Sequence, residues 1–277
     1  MIEVPLFFGA PDAALFGVLH RPAAPSTQPS VVFCHPFGEE KLWSHRTFVA
    51  YARHLATQGH TVLRFDYRGN GDSSGDFRDT SLTSAVADVQ TAVEFLRENA
   101  TGEVALLGLR YGASVASLVA EEMPSIAQLV LWAPIVDGAR FMQELLRINL
   151  TTQMAMFKEI RQDRDQLATA LARGESVNVD GYDMTSPMFE ETSALALAKS
   201  TKRFAGRVLI VQVDRQERPS AELQLLAQQY TDATLAFAQE EPFWKEIARY
   251  YQDAPNLFAR TDEWRRAATG APDLRRP

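Results

Sequence analysis

The stretch Val104-Ala-Leu-Leu-Gly-Leu-Arg-Tyr-Gly-Ala113 constrains this chain more than any other. Val104 to Leu107 is an apolar run of strand length, and Ala113 to Ala120 is a small-residue segment that reads as a helix. Between them lies Gly108-Leu109-Arg110-Tyr111-Gly112, so a strand must turn into a helix within five residues. A turn that tight leaves no room for side chains at its two glycine positions. The elbow carries Arg110 at its middle position. A guanidinium stays protonated at any physiological pH, so it is neither a nucleophile nor a general base.

The flanking sequence repeats the same rhythm. Ile2 to Phe8 and Ala14 to His20, separated by Gly9-Ala10-Pro11-Asp12, read as an opening hairpin. Val31 to Cys34 reads as a buried strand ending in His35-Pro36-Phe37-Gly38-Glu39-Glu40. A helix is expected over Arg46 to Gln58, where Phe48, Tyr51, Ala52, Leu55 and Ala56 keep helical spacing up to Gly59. Thr61 to Phe65 reads as a strand, Leu82 to Asn99 as a helix and Gln128 to Ala133 as a strand. Alternation of this kind predicts an α/β chain, with a mostly parallel sheet and helices on both faces.

Past Asp137 the rhythm breaks. To about Ala205 the chain is largely helical, with Phe141, Leu145, Leu146, Met154, Met156 and Phe157 and no strand signal. Sheet rhythm returns over Arg207 to Val213, then a helix from Ser220 to Tyr230, a strand from Thr234 to Phe237 and closing helices from Phe243. The division expected is a core of residues 1–136 and 206–270 with a helical insertion at 137–205. The tail from Gly270 to Pro277 is expected to fray.

Bulk composition narrows the functions. A formal net charge of -7 leaves no basic surplus to neutralise phosphates, which argues against nucleic acid. The single cysteine, Cys34, permits no internal disulfide and no cysteine-based metal site. No stretch approaches the ~18 apolar residues of a membrane span, and Met1 to Phe8 has no basic region before an apolar core. A cytoplasmic protein without cofactor or metal is the expectation.

These pieces together resemble the α/β-hydrolase superfamily over nearly the whole length. His35-Pro36-Phe37-Gly38 stands where that family places an oxyanion-hole loop, and Phe65-Asp66-Tyr67-Arg68-Gly69-x-Gly71-Asp72-Ser73 looks like its loop after the fourth strand. Gly108 to Gly112 matches the nucleophile elbow, and the insertion lies where the family carries a lid. His-Pro-Phe-Gly-Glu-Glu, Leu-Arg-Phe-Asp-Tyr-Arg-Gly, Gly-Leu-Arg-x-Gly-Ala and Leu-Trp-Ala-Pro-Ile-Val-Asp-Gly are similar to serine-aminopeptidase-like (S33-type) and exosortase-associated hydrolases. The resemblance implies ester or amide hydrolysis by a serine, an acid and a histidine in that chain order.

Residue by residue, that triad is not matched. The serine position holds Arg110. The acid position is open to Asp214 or Glu217, and the histidine position, within Phe237 to Trp244, offers Gln239, Glu240, Glu241 or Pro242. The five histidines, His20, His35, His45, His54 and His60, all precede the elbow. Ser114 and Ser117 read as packing residues of the elbow helix, and Asp72-Ser73 as turn formers. His35 is expected to hold its loop by a backbone hydrogen bond. Asp66 and Arg68 are expected to pair with each other.

A cation at a helix N-terminus should hold an anion. The internal candidates are Glu39 and Glu40, or Glu240 and Glu241, as a bidentate pair; the external one is a ligand carboxylate or phosphate. Two function classes follow. One is a non-standard hydrolase binding a small acyl- or carboxylate-bearing molecule at Arg110, with the Phe37 and Tyr111 N–H groups as oxyanion donors and Glu240 or Glu241 as base. The other is a non-catalytic partner protein of an exopolysaccharide or natural-product pathway. A homodimer is a candidate assembly. Met142, Met154, Met156 and Phe157 are expected in the core of the insertion.

Overall fold

The computed structural model describes residues 1–199, 201–246 and 253–269. The opening hairpin forms as expected: β1 (Ile2–Phe8) pairs antiparallel with β2 (Leu15–Arg21). The strands β3 (Ser30–Cys34), β4 (Val62–Phe65), β5 (Val104–Leu109), β6 (Ile126–Trp132), β9 (Arg207–Asp214) and β10 (Ala233–Gln239) pair parallel to one another. The eight strands stand in the order β1-β2-β4-β3-β5-β6-β9-β10. Strands β3, β4 and β5 are buried along their whole length, which is why they read as continuous apolar runs rather than as alternation.

Successive strand side chains point to opposite faces, and each face has its own helices. The helices α1 (Gly38–Thr57) and α8 (Pro255–Thr269) bring Phe48, Tyr51, Leu55, Leu257 and Trp264 over Phe33, Leu107, Trp132 and Val211. On the other face α2 (Leu82–Asn99) and α3 (Tyr111–Glu122) bring Val89, Val93, Val115 and Val119 over Val32, Leu106, Leu129 and Ile210. The helix α7 (Ala221–Gln228) adds Leu223 and Leu226 there.

Helix α1 starts at Gly38, eight residues ahead of the expected Arg46. Its first two turns hold only Leu42 and Trp43 as apolar residues, adjacent rather than helically spaced, so they carry no apolar period, but Glu39 and Glu40 suit the positive end of the helix. Glu39 and Glu40 therefore sit on a helix and not on a loop. Ser81 closes a capping box with Ser84 at the head of α2.

The segment between β6 and β9 corrects the all-helical expectation. It holds α4 (Gly138–Phe157), α5 (Arg164–Ala172), a hairpin of β7 (Val177–Val179) and β8 (Tyr182–Met184), and α6 (Ser186–Ser193). Asp180 and Gly181 turn the hairpin at φ 50° and 91°, the left-handed pair that a two-residue type I′ turn needs. Met142 is buried, as expected. Met154, Met156 and Phe157 are not core residues: they are 46%, 70% and 42% exposed at the far end of α4. Phe243 to Lys245 form a turn where a closing helix was expected to start, and α8 supplies a closing helix; residues 247–252 and the tail from Gly270 lie outside the described residues.

Candidate functional site

The elbow is built as its sequence demands. Arg110 stands between β5 and α3 at φ 54° and ψ -121°, a region that costs a residue bearing a Cβ about 1–3 kcal/mol. A Cβ on Gly108 would come within 2.4 Å of the Gly112 carbonyl oxygen, and one on Gly112 within 2.1 Å of the Cys34 carbonyl oxygen. The strained backbone is pinned from behind, where Arg110 N–H donates to the Trp132 carbonyl (3.0 Å) and the Arg110 carbonyl accepts from Ala113 N–H (3.1 Å). The small residues of α3 let it pack closely: Ser114 Oγ donates to the Ile135 carbonyl (2.7 Å) and Ser117 Oγ meets the Tyr230 hydroxyl (2.7 Å). Both serines are fully buried.

Arg110 Nε donates to Glu40 Oε1 at 3.0 Å. Of the four internal carboxylates considered, Glu40 is the one paired, and through a single bond rather than a bidentate fork. The two side chains are 17% and 19% exposed. The guanidinium carbon also lies 5.5 Å from the Trp244 ring centroid and 5.7 Å from that of Phe141, within cation–π range. Burial pushes the Glu40 carboxyl above the usual carboxylate range, and the opposing pull of Arg110 does not cancel it.

In front of the pair is a cavity of about 940 Å³. Phe37 and Trp43 form its core-side wall; Phe141, Leu145 and Ile148 of α4 and Tyr182 of the β8 hairpin form the facing wall. The rings of Phe37 and Tyr111 meet edge to face at 4.9 Å, so the two residues expected as oxyanion donors do stand together at the apex. Tyr111 N–H opens α3 and Phe37 caps α1, positions with no intrahelical acceptor. Trp244 is 4% exposed, lines the cavity, and its Nε1–H has no acceptor among the described residues.

The cavity's charge is mixed. Arg110, Arg147 and Lys245 face Glu39, Glu40, Glu144, Asp180 and Glu246. Burial, and then the nearby Asp180 carboxylate, raise the Glu39 carboxyl. With Glu40 engaged by Arg110, the rest of the wall is acidic.

Three expected site residues lie elsewhere. Glu240 is buried and accepts from the Asn256 N–H at 2.7 Å, so it caps the start of α8. Burial raises its carboxyl, with the backbone bonds of Asn256 and Leu257 opposing. Glu241 is bound by Arg215, and Asp214 is exposed at the end of β9. None of the three lines the cavity, and the position after β10 presents Trp244 instead.

The remaining expectations divide. Ser73 Oγ donates to the Asp66 carbonyl (2.5 Å) and accepts from Phe16 N–H (2.8 Å), a turn role as expected. Asp66 and Arg68 do not pair: Lys41 Nζ binds Asp66 (2.7 Å), while Arg68 Nε binds Asp88 (2.8 Å). The expected backbone bond from His35 is not made at Nδ1, which has no partner; the ring packs on Phe48 at 4.4 Å. Burial holds the His35 imidazole well below its ordinary pKa and lifts the Cys34 thiol far above its own. No histidine lines the cavity. Among the described residues no helix is long and apolar enough to cross a membrane.

Sheet order, elbow and flanking helices define an α/β-hydrolase fold. The chain belongs to the family described as serine aminopeptidase, S33 (Hydrolase_4), whose model matches residues 25–205. Among curated relatives, the uncharacterized protein RP471 of Rickettsia prowazekii (strain Madrid E) is 27% identical over 135 residues, 48% of this chain and 56% of that protein. The quorum-quenching protein AidA of Acinetobacter baumannii (strain MDR-ZJ06) is 25% identical over 135 residues, 47% of this chain and 43% of that protein. The chain thus spans about half the length of the curated relatives it matches. Among solved structures, Est1E of Butyrivibrio proteoclasticus with ferulic acid bound superposes with a TM-score of 0.71 at 18% identity, over 96% of this chain and 100% of that one. The alpha/beta hydrolase GrgF of Penicillium sp. sh18 does so with a TM-score of 0.68 at 16% identity, over 98% and 100%. At these identities the likeness is one of fold.

Proposed function

We propose that this chain is a non-standard member of its hydrolase family. It binds a small acyl- or carboxylate-bearing molecule at Arg110 and does not pass through an acyl-serine intermediate. The observation that carries this reading is Arg110 itself, held at the strained apex by a hydrogen bond that, among the described residues, is made through Nε alone, while lining a cavity of about 940 Å³. A pair built only to plug the site would leave no such space. A cavity of this volume suits a small organic ligand.

The lining supports a particular ligand chemistry. The terminal nitrogens of Arg110 have no hydrogen-bond acceptor among the described residues, so they are available to one carbonyl or carboxylate oxygen. Trp244 Nε1–H supplies a neighbouring donor, and the rings of Phe37, Trp43 and Phe141 offer stacking area to an apolar body. The acidic remainder of the wall disfavours a second negative charge. Residues 137–205 act as a lid in this reading, with α4 and the β7–β8 hairpin over the ligand. Serine attack has no support at the apex, because the side chain there is a permanent cation and no imidazole lines the site.

The test is a titration of the Trp43 and Trp244 fluorescence with ferulic acid, aliphatic monocarboxylates and their neutral esters, alongside assay of ester turnover. Saturable quenching by at least one class, weakened tenfold or more in Arg110→Met and without turnover, is expected. Quenching that is indifferent to Arg110→Met, or ester turnover at ordinary enzyme rates, would overturn the reading.

A further inference from the structure

A second cleft, of about 360 Å³, lies at the opposite end of the sheet from Arg110. Gln128 enters it from the start of β6, His60 from the residues ahead of β4, and Arg265 from α8. The elbow, by contrast, follows the carboxyl end of β5. Nothing in the proposed ligand chemistry at Arg110 uses this cleft.

Arg265 is only 6% exposed, yet its Nε–H and Nη1–H groups have no acceptor among the described residues. Its one polar contact among the described residues is Nη2 to His60 Nδ1 at 3.2 Å. That contact cannot be a hydrogen bond. His60 Nδ1 also lies 2.8 Å from the Pro29 carbonyl oxygen, which can only accept, so Nδ1 carries the proton and faces Arg265 as a second donor. Burial and then the Arg265 charge hold the His60 imidazole neutral, with its pKa lowered to about 4.

The carboxylate that lines the same cleft, Asp262, is engaged by other donors. Asp262 Oδ1 accepts from the Tyr51 hydroxyl (3.0 Å), and Oδ2 is bound by His54 Nε2 (2.6 Å) and Gln58 Nε2 (3.2 Å). Asp262 offsets part of the Arg265 charge through space, but a buried guanidinium whose Nε–H and Nη1–H meet no acceptor among the described residues forfeits those hydrogen bonds. Gln128 Oε1, in the same cleft, is buried without a donor. Arg266 adds a second positive charge at the rim.

We propose that this cleft is an oxyanion site, in which Arg265 grips the phosphate or carboxylate of a small molecule and Gln128 Oε1 accepts from a hydroxyl beside it. Nε–H and Nη1–H are charge-assisted donors without acceptors among the described residues, and an oxyanion would satisfy them. The unfilled acceptor at Gln128 calls for a hydroxylated organic anion rather than a bare ion.

The experiment measures melting temperature and calorimetric binding of the full chain at constant ionic strength. The measurements are made in the Arg110→Met background, so that monocarboxylate binding at the elbow cavity does not register, and the probes are inorganic phosphate, glycerol 3-phosphate, acetate and lactate. A saturable rise in melting temperature is expected with the phosphates, the carboxylates or both, and the arm that responds names the oxyanion. Glycerol 3-phosphate should exceed phosphate, or lactate exceed acetate. Arg265→Gln, made in that background, should weaken binding about tenfold or more, and the phosphate response should be equal in wild type and Arg110→Met, which separates this site from the elbow cavity. Gln128→Glu, which places a carboxylate beside the stranded guanidinium, should raise the melting temperature without ligand and abolish the response to all four probes. The proposal is overturned if no probe gives a saturable rise, or if the response survives Arg265→Gln. Should that variant not fold, a probe response retained in Gln128→Glu overturns it equally.

Discussion

Glu40 and Arg110, seventy positions apart in sequence, meet through one hydrogen bond of 3.0 Å at the apex of the strand-to-helix elbow. The first turn of α1 and the end of β5 are brought together by the β3–β5 pairing, in which Cys34 lies opposite Gly108. One bond to Nε orients the guanidinium and leaves its terminal nitrogens without an acceptor among the described residues.

The pair should be coupled but not indispensable. Both side chains are about four-fifths buried, so a double-mutant cycle on Glu40→Gln and Arg110→Met should give a coupling energy of about 1–3 kcal/mol. Urea unfolding of the four proteins measures it. A coupling near zero would mean that the two charges are solvated independently.

Restoring the family's serine should not restore the family's chemistry. Arg110→Ser supplies a hydroxyl at the apex, but no histidine lines the cavity, and the position after β10 holds a capping glutamate and a buried tryptophan. Turnover of p-nitrophenyl esters by this variant should stay at the uncatalysed background. Rates of ordinary esterases would show that another group can serve as base.

Gly112 should not tolerate alanine. The added Cβ would lie 2.1 Å from one carbonyl oxygen and 2.4 Å from the next, and both belong to the chain leaving β3. Relief requires moving α3 or that strand, so the cost should reach several kcal/mol, at the upper end for overpacking. Thermal unfolding of Gly112→Ala checks this; a melting temperature within a degree or two of the wild type would contradict the tight elbow.

Acid should destabilise the fold as its buried histidines are forced to charge, His20 and His60 in a defined window and His35 below it. Burial, and then the Arg64 charge, lower the His20 pKa to about 4, and His60 is lowered to about 4 as well. The unfolded chain binds protons at these positions near pH 6.5 and the native chain does not. Their stabilisation is therefore complete above about pH 6.5 and is lost as the pH falls toward 4, roughly 2 kcal/mol each by pH 5. Urea midpoints at pH 7.5 and pH 5 give the slope. His20→Gln, which keeps an acceptor for Arg64 Nε, should flatten it.

The core was legible because its signals are local. Buried parallel strands appear as apolar runs, and the elbow glycines mark a turn whose crowding the structure measures at 2.1–2.5 Å. The β7–β8 hairpin carried an equally local signal that helical spacing obscured. Asp180-Gly181 between Val-Asn-Val and Tyr-Asp-Met is a hairpin dipeptide flanked by alternation, and it contributes Asp180 and Tyr182 to the cavity wall. The start of α1 was hidden because its only apolar residues there, Leu42 and Trp43, are adjacent and Leu42 is exposed, so no apolar period marks those turns.

Site partners were harder, because they depend on tertiary approach. Glu40 and Glu240 both neighbour the elbow in chain logic, yet one meets Arg110 and the other caps α8. Nothing in their local sequence distinguishes them. Trp244 reaches the position expected for a catalytic group through the turn after β10, and Met154 and Met156 miss the core because α4 runs past the body it packs on.

The most direct measurement is exposure of the wild-type protein to a fluorophosphonate probe, followed by intact-mass analysis. No adduct should form, since the apex offers a cation and Ser73, Ser114 and Ser117 are tied into structural hydrogen bonds. A stoichiometric adduct, lost on changing one of those three serines, would contradict the account.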